Sequence, residues 1–382
     1  MLIGQEDFLS HFEQLHGAME LNGFDVLMVY AQGTRGMYSN LLYLTGYYDF
    51  DPSLQCVLLI HADGSVRLLA NSEWDLDRAS RTSWIDRRAM ASCADVPSEL
   101  ARHCHTRRLA EGRIGVVGLE LLPLAFFRGL ESGLPHADLV SATSLVAERR
   151  LLKNPREIET MRGAAEITAT SIRAGMACLR EGISELETLA VCVRTMLENR
   201  GDELAFTPEV SFGYMTEVCA APASANTLKQ GDMVLFDLGC IFKHYVGDLS
   251  RTCVFGSPSR EQRTIRDVVV GAQSAAILAA RPGAASSEVD LAAREVVRRA
   301  GYGEFFNHGL GHGLGLDHHE PPYIESDDST LLKPGMVFTV EPGIYVPGVG
   351  GARIEDVVVI TDTGSEVISP RADDEPWIWP NA

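Results

Sequence analysis

Basic residues are scarce in this chain, and lysine is the scarcest of them. Lys and Arg together number 33 against 52 Asp and Glu, which gives a formal charge of −19 over 382 residues. The field of such a protein repels a polyphosphate backbone, so we expect no nucleic-acid partner. Only four residues are lysine, which leaves few candidates for Schiff-base or pyridoxal-phosphate chemistry: Lys153, Lys229, Lys243 and Lys333.

Long apolar runs are also missing. No uncharged stretch reaches the roughly 18 residues of a membrane span, which predicts no membrane association. The N-terminal segment carries Glu6 and Asp7 where a secretory signal would carry basic residues, so we expect a cytoplasmic protein. The eight cysteines form no C-x-x-C motif, which is typical of reduced thiols in a reducing compartment.

The first part of the chain alternates helix-like and strand-like segments. An apolar stripe at helical spacing precedes the buried-strand run DVLMVY, and QCVLLIHADGSVRLLA predicts two strands around an Asp63-Gly64 turn. RIGVVG adds a strand near residue 113. We therefore predict an α/β domain over residues 1–153, whose polar residues are dispersed and suggest no chemistry.

A second domain is predicted over residues 154–382. Asn154 is suited to cap a helix and Pro155 to its first turn, so the boundary is placed before them. Further helices are expected at about 184–200, 260–281 and 287–300, with strands between them.

An internal repeat lies within this second domain. The strings LKQGDMVLFDLG and LKPGMVFTVEPG share a turn, an apolar strand and an acid six residues after the turn glycine, namely Asp237 and Glu341. A possible return strand with a second acid follows each one, which adds Asp248 and Glu355. Two related hairpins with two carboxylates each predict a pseudo-twofold α+β domain formed by duplication.

Four converging carboxylates on apolar strands would repel one another unless cations were present. Two divalent ions would balance the four charges. Oxygen ligands with one imidazole favour Mn, Co, Fe or Zn over a metal that thiolates select.

The imidazole is found between the two hairpins, in FNHGLGHGLGLDHHEPP, which holds four of the eleven histidines. Glycines on both sides of His312 let the backbone approach a ligand or metal closely. The stretch fits neither of the glycine-rich phosphate-binding motifs, so phosphate binding is disfavoured. Solvated histidines in a turn remain the alternative for this stretch taken alone.

Taken together, GHGLGLDHHEPP, TVEPG and ARIED resemble the metallopeptidase family with the pita-bread fold, which includes Xaa-Pro dipeptidases (prolidases), aminopeptidase P and methionine aminopeptidases. YSNLLYLTGY resembles the creatinase-type N-terminal domain of the prolidase branch. The resemblance covers nearly the whole chain. It implies a hydrolase of amide bonds in small substrates, most simply Xaa-Pro dipeptides or N-terminal Xaa-Pro, and a homodimer.

The resemblance also implies a role for each matching residue. Asp237 would hold one metal ion, His312 and Glu341 the other, while Asp248 and Glu355 would bridge both. Glu341 would also accept a proton from the attacking water. His308 and His319 would form hydrogen bonds with the substrate and the tetrahedral intermediate. Arg353 would orient the metal ligands.

The chain departs from the family pattern at Ala220. The prolidase branch usually carries a histidine seventeen residues before the first metal aspartate, and Ala220 stands there. We expect the adjacent Cys219 to be a buried, inert thiol, with a position at the edge of the pocket as the alternative. The lost imidazole favours an alternative in which the same fold acts on a non-peptide molecule, as in creatinase, ectoine hydrolase or a sulfonium lyase. A binding protein that has lost catalysis is a further alternative.

Overall fold

The structure is a computed structural model that describes residues 4–34, 36–48, 50–371 and 377–379. Its contacts divide the chain into two compact units, Ile3–Arg150 and Leu151–Ala382. This division lies three residues before the boundary that the sequence predicts. No helix within the described ranges is both long and apolar enough to cross a membrane.

The first unit is a mixed six-stranded sheet with helices, and its strand order is β4-β3-β2-β1-β5-β6. The two strands predicted around Asp63-Gly64 are β2 and β3, which pair antiparallel. Its elements in chain order are α1 (Gln5–Leu21), β1 (Val26–Gln32), α2 (Ser39–Thr45), β2 (Gln55–His61), β3 (Val66–Ala70), α3 (Glu73–Thr82), β4 (Met90–Ser92), α4 (Val96–Thr106), β5 (Arg113–Val117), α5 (Leu124–Gly133), β6 (Asp138–Ser141) and α6 (Thr143–Arg150).

The apolar periodicity of this unit packs as the sequence predicts. The α1 stripe buries Phe8, Phe12, Leu15 and Met19. A core of sheet residues such as Met28 packs against apolar side chains of α4 and α5. No group of three or more potential metal ligands is found among the described residues of this unit.

The second unit consists of two similar halves. Its elements are α7 (Pro155–Ala177), α8 (Glu185–Glu198), β7 (Glu203–Leu204), β8 (Glu209–Phe212), β9 (Met233–Phe242), β10 (Tyr245–Phe255), α9 (Arg260–Ala279), α10 (Ser286–Arg299), β11 (Gly311–Gly313), β12 (Glu320–Ile324), β13 (Val337–Val340), β14 (Gly343–Val346), β15 (Gly350–Arg353), β16 (Asp356–Ile360), β17 (Ser365–Val367) and β18 (Ile378–Trp379). The helices predicted at 184–200, 260–281 and 287–300 correspond to α8, α9 and α10.

Each half packs a helix pair on a sheet. Apolar residues of α7 and α8 form one core with β8, β9 and β10. Those of α9 and α10 form a second core with the sheet ordered β12-β11-β13-β16-β17. Asn154 caps α7 as predicted, because its side chain accepts hydrogen bonds from the backbone of Arg156 and Glu157.

The two hairpins of the repeat differ in one respect that the sequence did not indicate. β9 and β10 pair directly through a turn in which Lys243 and His244 have positive φ. In the second half β13 also pairs antiparallel with its return strand β16, but the β14–β15 hairpin is inserted between them. Glu355 therefore precedes β16 instead of lying within it.

Gly247 allows α7 to touch β10 backbone to backbone. A Cβ atom at this position would lie 2.4 Å from the carbonyl carbon of Ala164. We predict that Gly247→Ala lowers the stability of this unit by about 3 kcal/mol, a fall of roughly 10 °C in Tm, because rigid backbone cannot move aside. Gly271→Ala in α9 is the matched control: its Cβ would make an ordinary 3.6 Å contact with Val296, so Tm should hold or rise. Equal Tm values for the two variants in calorimetry would contradict this packing.

Candidate metal centre

In the second unit, the pleat of the sheet that contains β8, β9 and β10 places three acids on one face. Asp237 lies opposite Ser250 in the β9–β10 pair, and Asp248 lies opposite Gly239, two residues further along β9. Residues two apart on a strand share a face, so Asp237 and Asp248 point to the same side. Glu209 on β8 pairs with Asp237 from the other edge and joins them.

The second half adds ligand candidates from β11, β13 and the segment before β16. His312 lies on β11, and Glu341 directly follows β13 with its backbone amide bonded to the Leu310 carbonyl. Glu355 is tied to the first half, because its amide donates to the Ser250 carbonyl and its Oε2 accepts from Ser250 Oγ at 2.8 Å. The two halves thus meet at the acids.

The five predicted ligands come together in one cavity of about 470 Å³. Ligand atoms of Asp248, His312 and Glu355 all lie within 4.8 Å of one another. His312 Nε2 is 3.3 Å from Glu341 Oε1 and 3.8 Å from Asp248 Oδ2. His312 Nδ1 donates to the Gly313 carbonyl at 3.1 Å, so the neutral imidazole would present its Nε2 lone pair to a metal ion.

The donor set fits divalent cations. Asp237 Oδ1 and Asp248 Oδ1 are buried without a hydrogen-bond partner within the described residues, although such atoms are costly to leave unsatisfied. Carboxylate oxygens with one imidazole are ligands that borderline and hard divalent metals accept. A bound cation would give both of these buried oxygen atoms the partner that they lack within the described residues.

Crowding of the acids shifts their pKa values. Burial raises the pKa of Asp237 to about 8, with a further rise from Asp248 and an opposing effect of Arg353. Burial, Asp248 and Glu341 together raise the pKa of Glu355 well above its usual value. Burial opposes the charge of both members of the His312–Glu341 pair, yet their mutual attraction prevails: the pKa of His312 rises to about 9 and that of Glu341 falls to about 2.

Arg353 is the buried cation of this cavity. Its Nη2 donates to Asp237 Oδ2 at 2.6 Å and to Glu209 Oε2 at 3.0 Å. Its Nη1 donates to the Tyr345 hydroxyl at 2.7 Å, and its Nε donates to Ser250 Oγ. The sequence did not single out Glu209 or Tyr345. An acid within the apolar run EVSF was the one available signal for Glu209.

The other histidines of the glycine-rich stretch line the same cavity. His308 Nε2 is 3.1 Å from the Tyr345 hydroxyl, and the His319 ring stacks on His312 with centroids 3.6 Å apart. His318 was given no role from the sequence, but its Nε2 lies 3.0 Å from Asp248 Oδ2. The stretch is therefore a wall of the cavity and not a solvated turn.

Ala220 and Cys219 also line this cavity. The prediction of a buried, inert thiol was wrong in part, since Cys219 is only partly buried and its Sγ lies 3.9 Å from Arg353 Nη1. Burial nevertheless raises the pKa of Cys219, so the thiol stays protonated. All eight cysteines are free, as expected.

Comparison with known proteins agrees with this geometry. Residues 159–362 match the model of metallopeptidase family M24, and residues 12–152 match the creatinase/prolidase N-terminal domain. The chain belongs to metallopeptidase family M24. It is a metal-dependent peptidase of the prolidase type with the pita-bread fold that the sequence predicted.

Three relatives illustrate the similarity of this M24 chain. It is 38% identical to an Xaa-Pro dipeptidase of Pyrococcus horikoshii over 64% of this chain and 70% of that protein. A putative dipeptidase of Bacillus subtilis is 34% identical over 86% of this chain and 91% of its own length. The crystal structure of the prolidase from Pyrococcus horikoshii superposes with a TM-score of 0.84 at 30% identity, over 95% of this chain and 98% of the other.

The pKa shifts of the M24 site predict how pH affects the protein without metal. Asp237 and Glu355 stabilise the fold in their protonated forms, and this stability is lost as pH rises toward their raised pKa values. His312 acts in the same direction between about 6.5 and 9, because its pKa is raised too. Metal binding needs deprotonated ligands and tightens over the same range.

We therefore predict that the Tm difference between Mn²⁺-loaded and chelator-treated protein widens from pH 6 to pH 9, by roughly 5 °C or more, in differential scanning fluorimetry. Glu355→Gln mimics the protonated acid and serves as the control: its metal-free form should lose less stability at pH 9, and Mn²⁺ should raise its Tm little. A difference that is constant or shrinks with pH would contradict the assignment.

Proposed function

We propose that Asp237, Asp248, His312, Glu341 and Glu355 hold two divalent cations, and that the chain hydrolyses an Xaa-Pro amide bond beside them. Asp237 would hold one ion, His312 and Glu341 the other, and the remaining two acids would bridge both. The observation that supports this most directly is the meeting of Asp248, His312 and Glu355 donor atoms within 4.8 Å.

Charge balance supports two ions. The four acidic ligands carry four negative charges when ionised, and Arg353 is already matched by its contact with Glu209. Two divalent ions neutralise the four, and they offset the burial and the repulsion that raise the pKa values of Asp237 and Glu355. We propose Mn, Co, Fe or Zn for these positions on the donor chemistry.

When bound, the cations would supply Lewis acidity that acidifies water and polarises a carbonyl. Glu341 accepts the proton of the attacking water, and Thr339 Oγ1 donates to its Oε1 at 3.0 Å, which fixes the carboxylate for this step. His319 donates a hydrogen bond to the substrate carbonyl and to the negative charge that develops there. His308 Nδ1 lies 2.7 Å from the Gly309 carbonyl, and His308 would donate to the substrate in the tautomer that carries its proton on Nε2, the atom now 3.1 Å from the Tyr345 hydroxyl. Arg353 keeps Asp237 in place from outside the reacting atoms.

The relatives named Xaa-Pro dipeptidase support the peptide substrate. One observation favours the non-peptide alternative: Ala220, not an imidazole, faces the cavity at the position where the resemblance expects a donor. A loss of one such donor costs a preorganised enzyme about 3–4 kcal/mol of transition-state stabilisation. A small cyclic or sulfonium substrate would not need that donor.

The deciding experiment is hydrolysis after reconstitution with Mn²⁺, Co²⁺, Fe²⁺ or Zn²⁺. We predict cleavage of Xaa-Pro bonds in di- and tripeptides, with about two metal equivalents bound per chain by elemental analysis. Creatine-like, cyclic-amidine and sulfonium compounds form the comparison panel. Turnover of one of these and of no peptide at any loading would reject the peptidase in favour of the alternative. Bound metal well below one equivalent, with no uptake on titration, would reject both the peptidase and the non-peptide alternative.

His319 should act on the transition state more than on metal binding. We predict that His319→Ala lowers kcat by about 10²–10³ while metal stoichiometry stays unchanged and KM changes little. His105→Ala, on an exposed histidine of α4, is the matched control and should keep full activity. A His319→Ala protein with normal kcat, or one that has lost its metal, would contradict this role.

Three further expectations from the sequence stay predictions. The homodimer and the cytoplasmic location rest on the resemblance and the N-terminal composition alone. Manganese as the native ion is one choice among the metals that the donor set accepts. Sedimentation analysis tests the homodimer, and metal analysis of protein purified without chelator tests the identity of the native ion.

A further inference from the structure

One wall of the cavity carries a phenol and a carboxylate beside the proposed ligand His312. His312 pairs with Tyr323 across β11 and β12, and directly paired residues of antiparallel strands have their side chains on the same face. Glu325 follows two residues after Tyr323, and both line the cavity. The wall that a substrate meets next to this ligand is therefore neutral or negative.

Glu325 lies against the chain at Gly309. A Cβ atom on Gly309 would be 2.8 Å from Glu325 Cγ, so the glycine provides the space in which this side chain lies along the wall. Glu325 is exposed, and no Lys or Arg of the described ranges forms an ion pair with its carboxylate. Its carboxylate therefore lies at the cavity without a matching cation among the described residues.

The basic side chains near this wall already form ion pairs with acidic residues. Arg353, the one Lys or Arg among the described residues that line the cavity, is bound to Glu209 and Asp237. Arg294 reaches the His308 carbonyl but is paired with Asp290.

Lys153 Nζ is buried and bonded to Glu320 at 2.7 Å. With two divalent ions against the four acidic ligands, and Arg353 against Glu209, the interior is neutral and Glu325 leaves one surplus negative charge. An ammonium group is attracted to such a cavity, while a carboxylate finds no unmatched protein cation to bind.

We propose that Glu325 determines specificity and that the cavity selects Xaa-Pro substrates without a free carboxylate next to the scissile bond. The cavity therefore prefers longer peptides or amides to free dipeptides, which are cleaved less efficiently. The inference rests on the proposed function, because it concerns the substrate of the same site. It requires that the carboxylate end of the substrate approaches Glu325, because a free dipeptide and its amide carry the same ammonium and differ only in the carboxylate.

The test compares Ala-Pro with Ala-Pro-amide on the Mn²⁺-loaded protein. We expect kcat/KM to be at least tenfold higher for the amide, mostly through KM. Glu325→Gln should reduce this ratio to about threefold or less, and Glu325→Lys should favour the free dipeptide. Glu304→Gln, which removes an exposed acid away from the cavity, is the matched control and should leave the ratio unchanged.

A second measurement separates this inference from the proposed function. Calorimetry with L-proline and L-prolinamide on the same metal-loaded protein needs no turnover, and we expect the prolinamide to bind tenfold more tightly in the wild type but not in Glu325→Gln. Free dipeptides cleaved as well as their amides, or a ratio insensitive to Glu325→Gln, would overturn the inference and leave the peptidase intact. If neither substrate is cleaved at any metal loading, the proposed function fails, and the calorimetric comparison still decides the role of Glu325.

Discussion

The constraint on which the second unit depends is the burial of several carboxylates in one cavity. Buried like charges are tolerated when they are protonated, paired or bound to a cation. One acid of the cavity, Asp237, is held by Arg353, and its second oxygen has no partner in the part of the chain that the structure describes, as is true of one oxygen of Asp248. The raised pKa values of Asp237 and Glu355 reflect their burial first and the repulsion between the acids second. The stability of this unit and its capacity to bind cations therefore depend on the same buried acids.

The topology satisfies this requirement by joining two similar halves. The β9–β10 pleat presents Asp237 and Asp248 on a common face, and the second half adds His312 and Glu341. Ser250 connects the halves, since its carbonyl and hydroxyl both bond Glu355 while its hydroxyl also accepts from Arg353. The inserted β14–β15 hairpin places Arg353 at its end, two residues before the last ligand, Glu355. Its insertion into the repeat thus supplies the arginine that pairs with Asp237 of the first half.

Much of this architecture could be predicted from the sequence. Strand patterning around Asp63-Gly64, the Asn154 cap and the duplicated turn, strand and acid pattern are local signals, and the structure contains each of them. Contacts between segments distant in the chain carried no such signal. Glu209 and Tyr345 meet Arg353 because β8 and β14 are brought beside it, which no spacing reveals. Cys219 was placed wrongly for the same reason, since its exposure depends on a cavity built by other segments.

The metal ligands and the other residues that line the cavity determine different properties of the site. Charge balance restricts the ligand positions, because exchanging one acid for a neutral residue leaves the remaining charges uncompensated. Residues that line the cavity without bonding a ligand are under no such restriction. Ala220 and Glu325 are of this kind, and each changes what a substrate meets without disturbing the acids. Relatives with the same ligands can thus differ in substrate, and the chemistry of this chain is better inferred from its ligands while its selectivity is better inferred from its walls.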